Sequence, residues 1–199
     1  MIQVVGEAPA VEGAPALTPQ DRQQEFFKDT KVVDDQGSPK VVYHATTNKF
    51  EVFDTKGLGS HFGTKEQANN RIDRGSVPRK GRQVIPVYLN IKNPLRLEEP
   101  FGGDWNYSVE IAKQLKNLGF KNIPEYEPYE PKKNLRNVKN YLIDQGYDGI
   151  VYENTFESPL RDKEGNITES YEEGTIDVQD SYIAFHPAQA KSIFNLKPL

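Results

Sequence analysis

An α+β fold is predicted by three features of the sequence. Strand-like apolar runs sit toward both ends, two amphipathic helices lie between them, and the spacing lacks the regular alternation of a doubly wound sheet. The 199 residues suit one domain of ordinary size. Residues 1–17, rich in Ala, Pro, Gly and Glu without an apolar period, read as a flexible lead-in, and 18–199 as a single domain.

The elements follow in order. Thr18 is placed as an N-cap, with Pro19 at the first helical position and Asp21 in the first turn, so that a short helix carries Phe26 and Phe27 toward the core. Asp34-Asp35-Gln36-Gly37 is a turn that sets up Val41–His44 as a strand. Thr64-Lys65-Glu66-Gln67 has the pattern of a capping box. It puts Ser60-His61-Phe62-Gly63 just ahead of a helix N-terminus, where backbone N–H groups can hold phosphate or ribose oxygens. Val84–Ile91 is the clearest strand, and Pro86 within it predicts an edge position or a bulge.

A helix near Ser108–Leu118 turns Val109, Ile111, Ala112, Leu115 and Leu118 inward and stops at Gly119. A second, near Leu135–Gln145, turns Leu135, Val138, Tyr141 and Leu142 inward and stops at Gly146. Gly149–Tyr152 is a short strand. Residues 158–179 read as a long surface loop or a two-strand excursion, with Tyr182–Phe185 and Ala190–Phe194 as the last core segments.

Composition narrows the function classes. A formal charge of -4 argues against nucleic-acid binding by bulk electrostatics, and the run Arg71, Arg74, Arg79, Lys80, Arg82 reads as a solvated loop. Cysteine is absent, which excludes disulfides, thiolate nucleophiles and Cys-based zinc sites. No segment approaches a membrane span, and Met1–Ala16 lacks the pattern of a signal peptide. The expectation is a cytosolic chain with no membrane partner, monomeric by default.

Two of the three histidines lie in segments that read as a ligand site. His44 ends a strand, and Thr46 leaves the same face if that strand continues. The glycine-flexed Gly57-Leu58-Gly59 turn delivers His61 and Phe62 side by side. Gly57-Leu58-Gly59 lacks the third glycine of a dinucleotide fingerprint, no P-loop is present, and three histidines on separate segments make a metal site improbable. Among carboxylates, Glu157 and Asp180 hold rim positions next to apolar strands. Asp148 reads as a turn residue, the Glu172/Glu173 pair as solvated, and His186 as a strand-end residue without a role.

Several motifs, in order, carry a resemblance over about residue 26 to the end. They are Tyr43-His44-Ala45-Thr46, Gly59-Ser60-His61-Phe62-Gly63-Thr64, Tyr88-Leu89-Asn90-Ile91-Lys92-Asn93-Pro94-Leu95, Gly146-Tyr147-Asp148-Gly149-Ile150-Val151-Tyr152, and Tyr182 to Ser192. Together they resemble ADP-ribosyltransferases of the diphtheria-toxin and PARP type, in the variant found in phage and mobile-element polyvalent proteins.

The resemblance implies a split β-sheet of two packed antiparallel half-sheets with peripheral helices, NAD held in the cleft between them, and no metal. It places His44, Ala45 and Thr46 on NAD, and Ser60, His61 and Phe62 along the nicotinamide pocket, with His61 where the family often has Tyr. The family's glutamate position falls on Ser181, preceded by Asp180, while Asn154-Thr155-Phe156-Glu157 matches an Asn-x-x-Glu pattern that offers another carboxylate. The implied activity is mono-ADP-ribosylation: cleavage of the nicotinamide–ribose bond of NAD and transfer to a host protein or nucleic-acid acceptor. The alternatives are an inactive binding or virion structural module, and an enzyme using the two histidines on an RNA phosphate, with the Arg71–Arg82 run beside it.

Overall fold

A computed structural model describes residues 24–47, 52–73 and 80–194. The expected lead-in 1–17, the N-cap at Thr18, and Arg74 and Arg79 lie outside the described residues. The elements run β1 Val41–Thr46, β2 Ser60–Phe62, α1 Lys65–Arg71, β3 Gln83–Leu89, β4 Pro94–Arg96, α2 Ser108–Asn117, α3 Pro131–Asp144, β5 Gly149–Asn154, β6 Leu160–Arg161, β7 Ile167–Thr168, β8 Thr175–Ile176, β9 Gln179–Ala184 and β10 Ala190–Ser192.

The strands form an α+β fold around a split sheet. One half has the order β1-β3-β10 and is antiparallel; the other has the order β2-β9-β5-β4. The second half is not wholly antiparallel as expected, because β4 runs parallel to β5. The chain between them contains α2 and α3, a crossover long enough to return a strand in the same direction.

Strand periodicity divides the core in two. Val42, Val87, Phe62, Val151, Tyr182 and Ala184 pack between the half-sheets. Ile150, Tyr152 and Ile183 face the other way, against Ile111 and Leu115 of α2 and Leu135, Val138 and Leu142 of α3. Val109 and Leu118, expected on the inner face of α2, are exposed, since the face centred on Ile111 and Leu115 already covers the sheet. Helix α3 starts a turn earlier than expected, with Pro131 in its first turn, where the missing N–H costs nothing.

Pro86 does not mark an edge or a bulge: β3 is the central strand of its sheet. It lies opposite Tyr43, whose backbone N–H and C=O bond to Gly63 instead. The backbone of Pro86 therefore points toward β10, which ends at Ser192 opposite Val87, just short of the missing donor. The 158–179 region holds three two-residue strands rather than two, in the order β7-β6-β8. Strand β9 begins at Gln179, so Asp180 and Ser181 lie within it and on opposite faces, rather than ahead of it.

The Asp148 and Gln189 motifs brace the sheet. Asp148 accepts from the N–H groups of Lys92 and Asn93 at 2.7 and 2.8 Å, and Gln189 Nε2 donates to the Asp148 carbonyl at 2.8 Å.

Candidate active site

The site begins where the two half-sheets separate. Tyr43 of β1 and Gly63, just after β2, exchange backbone hydrogen bonds of 2.8 and 3.0 Å in an isolated bridge between the two half-sheets. Beyond this bridge the His61 carbonyl is met by a side chain: His44 Nδ1 lies 2.7 Å from it. A carbonyl only accepts, so Nδ1 carries the proton. In the neutral ring Nε2 is then the acceptor nitrogen. Burial, then the positive charge of Arg71, hold the His44 pKa below its ordinary value against the opposing His61 hydrogen bond. The ring packs on Phe53 and Phe62, with centroids 5.3 and 5.4 Å away. Thr46 is buried two residues further along β1.

His61 and Phe62 were expected side by side, but they occupy opposite faces of β2. Phe62 enters the core between the half-sheets, beneath His44, while His61 faces Trp105 with ring centroids 6.2 Å apart. Alternation along a strand requires this of adjacent residues. Burial, then Arg71 and His44, lower the His61 pKa to about 3, so its imidazole is neutral at ordinary pH. Two buried nitrogens on this wall, His61 Nδ1 and Trp105 Nε1, have no hydrogen-bond partner among the described residues. Such orphans carry a desolvation cost that a polar ligand would relieve. Ser60 faces the other way and donates to the Asp54 carbonyl at 2.9 Å.

Helix α1 forms the next wall. Its capping box is present, with Gln67 N–H donating to Thr64 Oγ1 and Thr64 N–H to Gln67 Oε1. Gln67 is fully buried and does more than cap. Its Nε2 donates to Ser158 Oγ and the Gln179 carbonyl at 3.1 and 3.0 Å, and its Oε1 also accepts from Ser181 Oγ. Gly63 permits this approach: a Cβ there would lie 2.4 Å from Gln67 Oε1 and 2.7 Å from Ser181 Oγ. Asn70 and Arg71 continue the face that Gln67 begins, at the spacing of helical neighbours. Asn70 donates to the Glu157 carbonyl at 2.8 Å, and Arg71 to Glu157 Oε1 at 2.7 Å. Arg71 was expected in a solvated basic loop; it is the last residue of α1 and half-buried.

The Asn-x-x-Glu pattern after β5 closes the site. Asn154 Oδ1 accepts from the Glu157 N–H at 2.8 Å, while its Nδ2 donates to Glu157 Oε2 at 2.9 Å and to Ser181 Oγ at 3.0 Å. The three-residue spacing folds the chain back so that one amide holds both the backbone and the carboxylate of Glu157. Glu99 fixes the outer side of the turn, accepting from Thr155 N–H and Oγ1 and from Phe156 N–H at 2.8, 2.7 and 3.0 Å.

The candidates thus separate. His44, His61, Asn154, Glu157 and Ser181 are linked at the split through Arg71, while Thr46 is buried at the end of β1. Asp180 points to the other face, where Arg96 grips it through two hydrogen bonds of 2.7 and 3.0 Å. That contact occupies both of its oxygens and aims them away from Ser181. Ala45 has backbone alone to offer. Arg71, Gln67, Asn70, Trp105 and Glu99 went unforeseen, although polar residues at i, i+3 and i+4 behind a capping box are a visible signal for the first three. Among the described residues no group of three or more His, Asp or Glu is placed to hold a metal ion.

Residues 34–198 match the family model of the ADP-ribosyltransferase in polyvalent proteins. The chain belongs to this family. The family is one of ADP-ribose transferases, whose substrate is NAD. The match takes in β1 through β10, so the transferase fold includes both half-sheets and every wall of the site. No curated protein and no solved structure matches the chain. The groups present suit a dinucleotide: an acceptor nitrogen on His44, aromatic walls, unpartnered buried nitrogens on His61 and Trp105, and one ordered carboxylate.

Proposed function

We propose that this transferase cleaves NAD at the nicotinamide–ribose bond and moves ADP-ribose to a macromolecular acceptor, with Glu157 as the reacting carboxylate. The observation that carries the reading is the fixed Glu157 side chain, held by Asn154 and by Arg71, the same cation that acts on both histidines. Loss of nicotinamide leaves positive charge on the ribose, as in glycoside hydrolysis. A preorganised carboxylate near that carbon stabilises the charge, an effect of roughly 3–4 kcal/mol for one well-placed group. Two donors occupy the Glu157 oxygens, and a carboxylate offers about four acceptor sites, so room remains for a ribose or acceptor hydroxyl.

In this reading His44 accepts a hydrogen bond from a ribose hydroxyl through Nε2, and Thr46 follows two residues on in β1. Ala45 contributes backbone groups, and His61 with Trp105 forms the nicotinamide wall. Phe62 supports His44 from below, and Ser60 shapes the turn. Asn154 and Ser181 position Glu157 and do not react. Asp180 is left outside the chemistry by its pairing with Arg96. The test is nicotinamide release and label transfer from NAD by wild type, Glu157→Gln and His44→Ala. Unchanged turnover in Glu157→Gln removes the carboxylate assignment.

A second reading is supported by Ser181, which stands where the family places its glutamate and is already engaged by Gln67 and Asn154. It is an NAD-binding module without catalysis. Heat of NAD binding without nicotinamide release would select it.

A further inference from the structure

The turn that carries Glu157 has a second side. There a groove of about 710 Å³ runs between the Pro100–Gly103 turn and the three-stranded β6–β8 sheet, with Asn70 of α1 in its lining. Thr155, Phe156 and Ser158 form its floor, so it adjoins both chain neighbours of Glu157. Its walls are unusually aromatic for exposed surface. Phe101 is 92% and Tyr171 76% exposed, at the two rims. The floor is built: Gly103, at φ +69°, brings its backbone so close to Phe156 that a Cβ would lie 2.9 Å from the ring.

Charge decides what such a groove takes. Among the described residues its lining holds Glu99 and Glu169 and contains neither Lys nor Arg. The adjoining segment 158–179 has six acidic residues against two basic ones, and Arg161 of those two is already paired with Asp177. A strand of nucleic acid stacked on these rings would need cations along its phosphates, and the lining supplies none. A guanidinium or ammonium between aromatic rims, next to a carboxylate, is matched on every count.

Resting on the transferase reading of Glu157, we propose that this groove docks a protein acceptor through an Arg or Lys side chain lodged between Phe101 and Tyr171 and facing Glu169. A segment seated there lies along the Glu157 turn, and a neighbouring side chain of the same acceptor reaches over that turn to the ribose.

The experiment uses a fluorescein-labelled nonapeptide of Gly, Ser and Leu with two central arginines, its twin with citrulline in their place, and a labelled single-stranded oligonucleotide. Anisotropy is read against wild type, Phe101→Ala/Tyr171→Ala and Glu169→Gln. Expected are salt-sensitive binding of the arginine peptide, at least tenfold weaker binding of the citrulline twin, a similar loss in the double variant, and a smaller one in Glu169→Gln. Equal binding of the two peptides, no effect of the double variant, or displacement of the peptide by the oligonucleotide overturns the proposal. NAD hydrolysis to water, followed in the same samples, should be unchanged in these variants. It reports on the Glu157 chemistry separately, so either reading can fail alone.

Discussion

Arg71 and Glu157 form a 2.7 Å ion pair at the mouth of the split sheet, and the same guanidinium depresses the pKa of both His44 and His61. One cation at the end of a short helix thus orders the carboxylate and adds to the burial that lowers both imidazoles. Asn154 holds the other carboxylate oxygen.

Glu157→Gln should keep the fold and NAD affinity while nicotinamide release falls by about 10²–10³-fold, the range for removal of one electrostatic stabiliser. The amide keeps the shape and an acceptor oxygen but loses the charge. Chromatographic assay of nicotinamide, with calorimetry for NAD binding, separates the two effects.

Arg71→Ala should raise the titration midpoints of both His44 and His61, because a positive neighbour that opposes protonation is gone. Imidazole chemical shifts followed against pH provide the check. Midpoints that stay fixed would show that burial alone sets them.

Asn154→Ala removes donors from Glu157 and Ser181 and leaves their groups short of partners in a buried region. A loss of about 1–3 kcal/mol in stability is expected, with turnover falling further than NAD affinity. Urea denaturation and a separation of kcat from KM test this. A variant with normal kcat would remove Asn154 from the positioning of Glu157.

The histidines also set an acid limit. His61 titrates near 6.5 when unfolded and is lowered to about 3 in the fold, and His44 is lowered too. Between those values the unfolded chain binds more protons, so stability should decline as pH falls from 6.5 toward 3 and be independent of these groups above 6.5. Urea midpoints across pH 4–8 should show this slope, shallower in His61→Gln.

Gly63→Ala should destabilise the α1–β9 junction by about 1–3 kcal/mol, the usual cost of overpacking, since its Cβ would sit 2.4 Å from Gln67 Oε1. Gly57→Ala, with nothing within 4 Å of its Cβ, is the matched control and should be close to neutral. Thermal denaturation of the pair decides it.

Local chemistry made part of this protein legible in its sequence. The Thr64–Gln67 capping box, the stops at Gly119 and Gly146, the α+β class and the Asn154–Glu157 spacing are all set by interactions within a few residues, and these appear as read. The ordered motifs likewise carried the family. The partners of those motifs needed the tertiary structure. Whether Pro86 is central depends on where β10 ends, and whether His61 and Phe62 share a pocket depends on strand alternation at the split. That Asp180 turns to Arg96 while Ser181 turns to Asn154 follows from a strand beginning at Gln179, three residues before the apolar run. Arg71 reaches Glu157 across 86 residues of chain, and no local pattern encodes a contact at that separation. The sequence by itself determined the periodicities and caps; the register of the sheet decided which side chains meet, because a strand shifted by one residue sends every side chain to the opposite face.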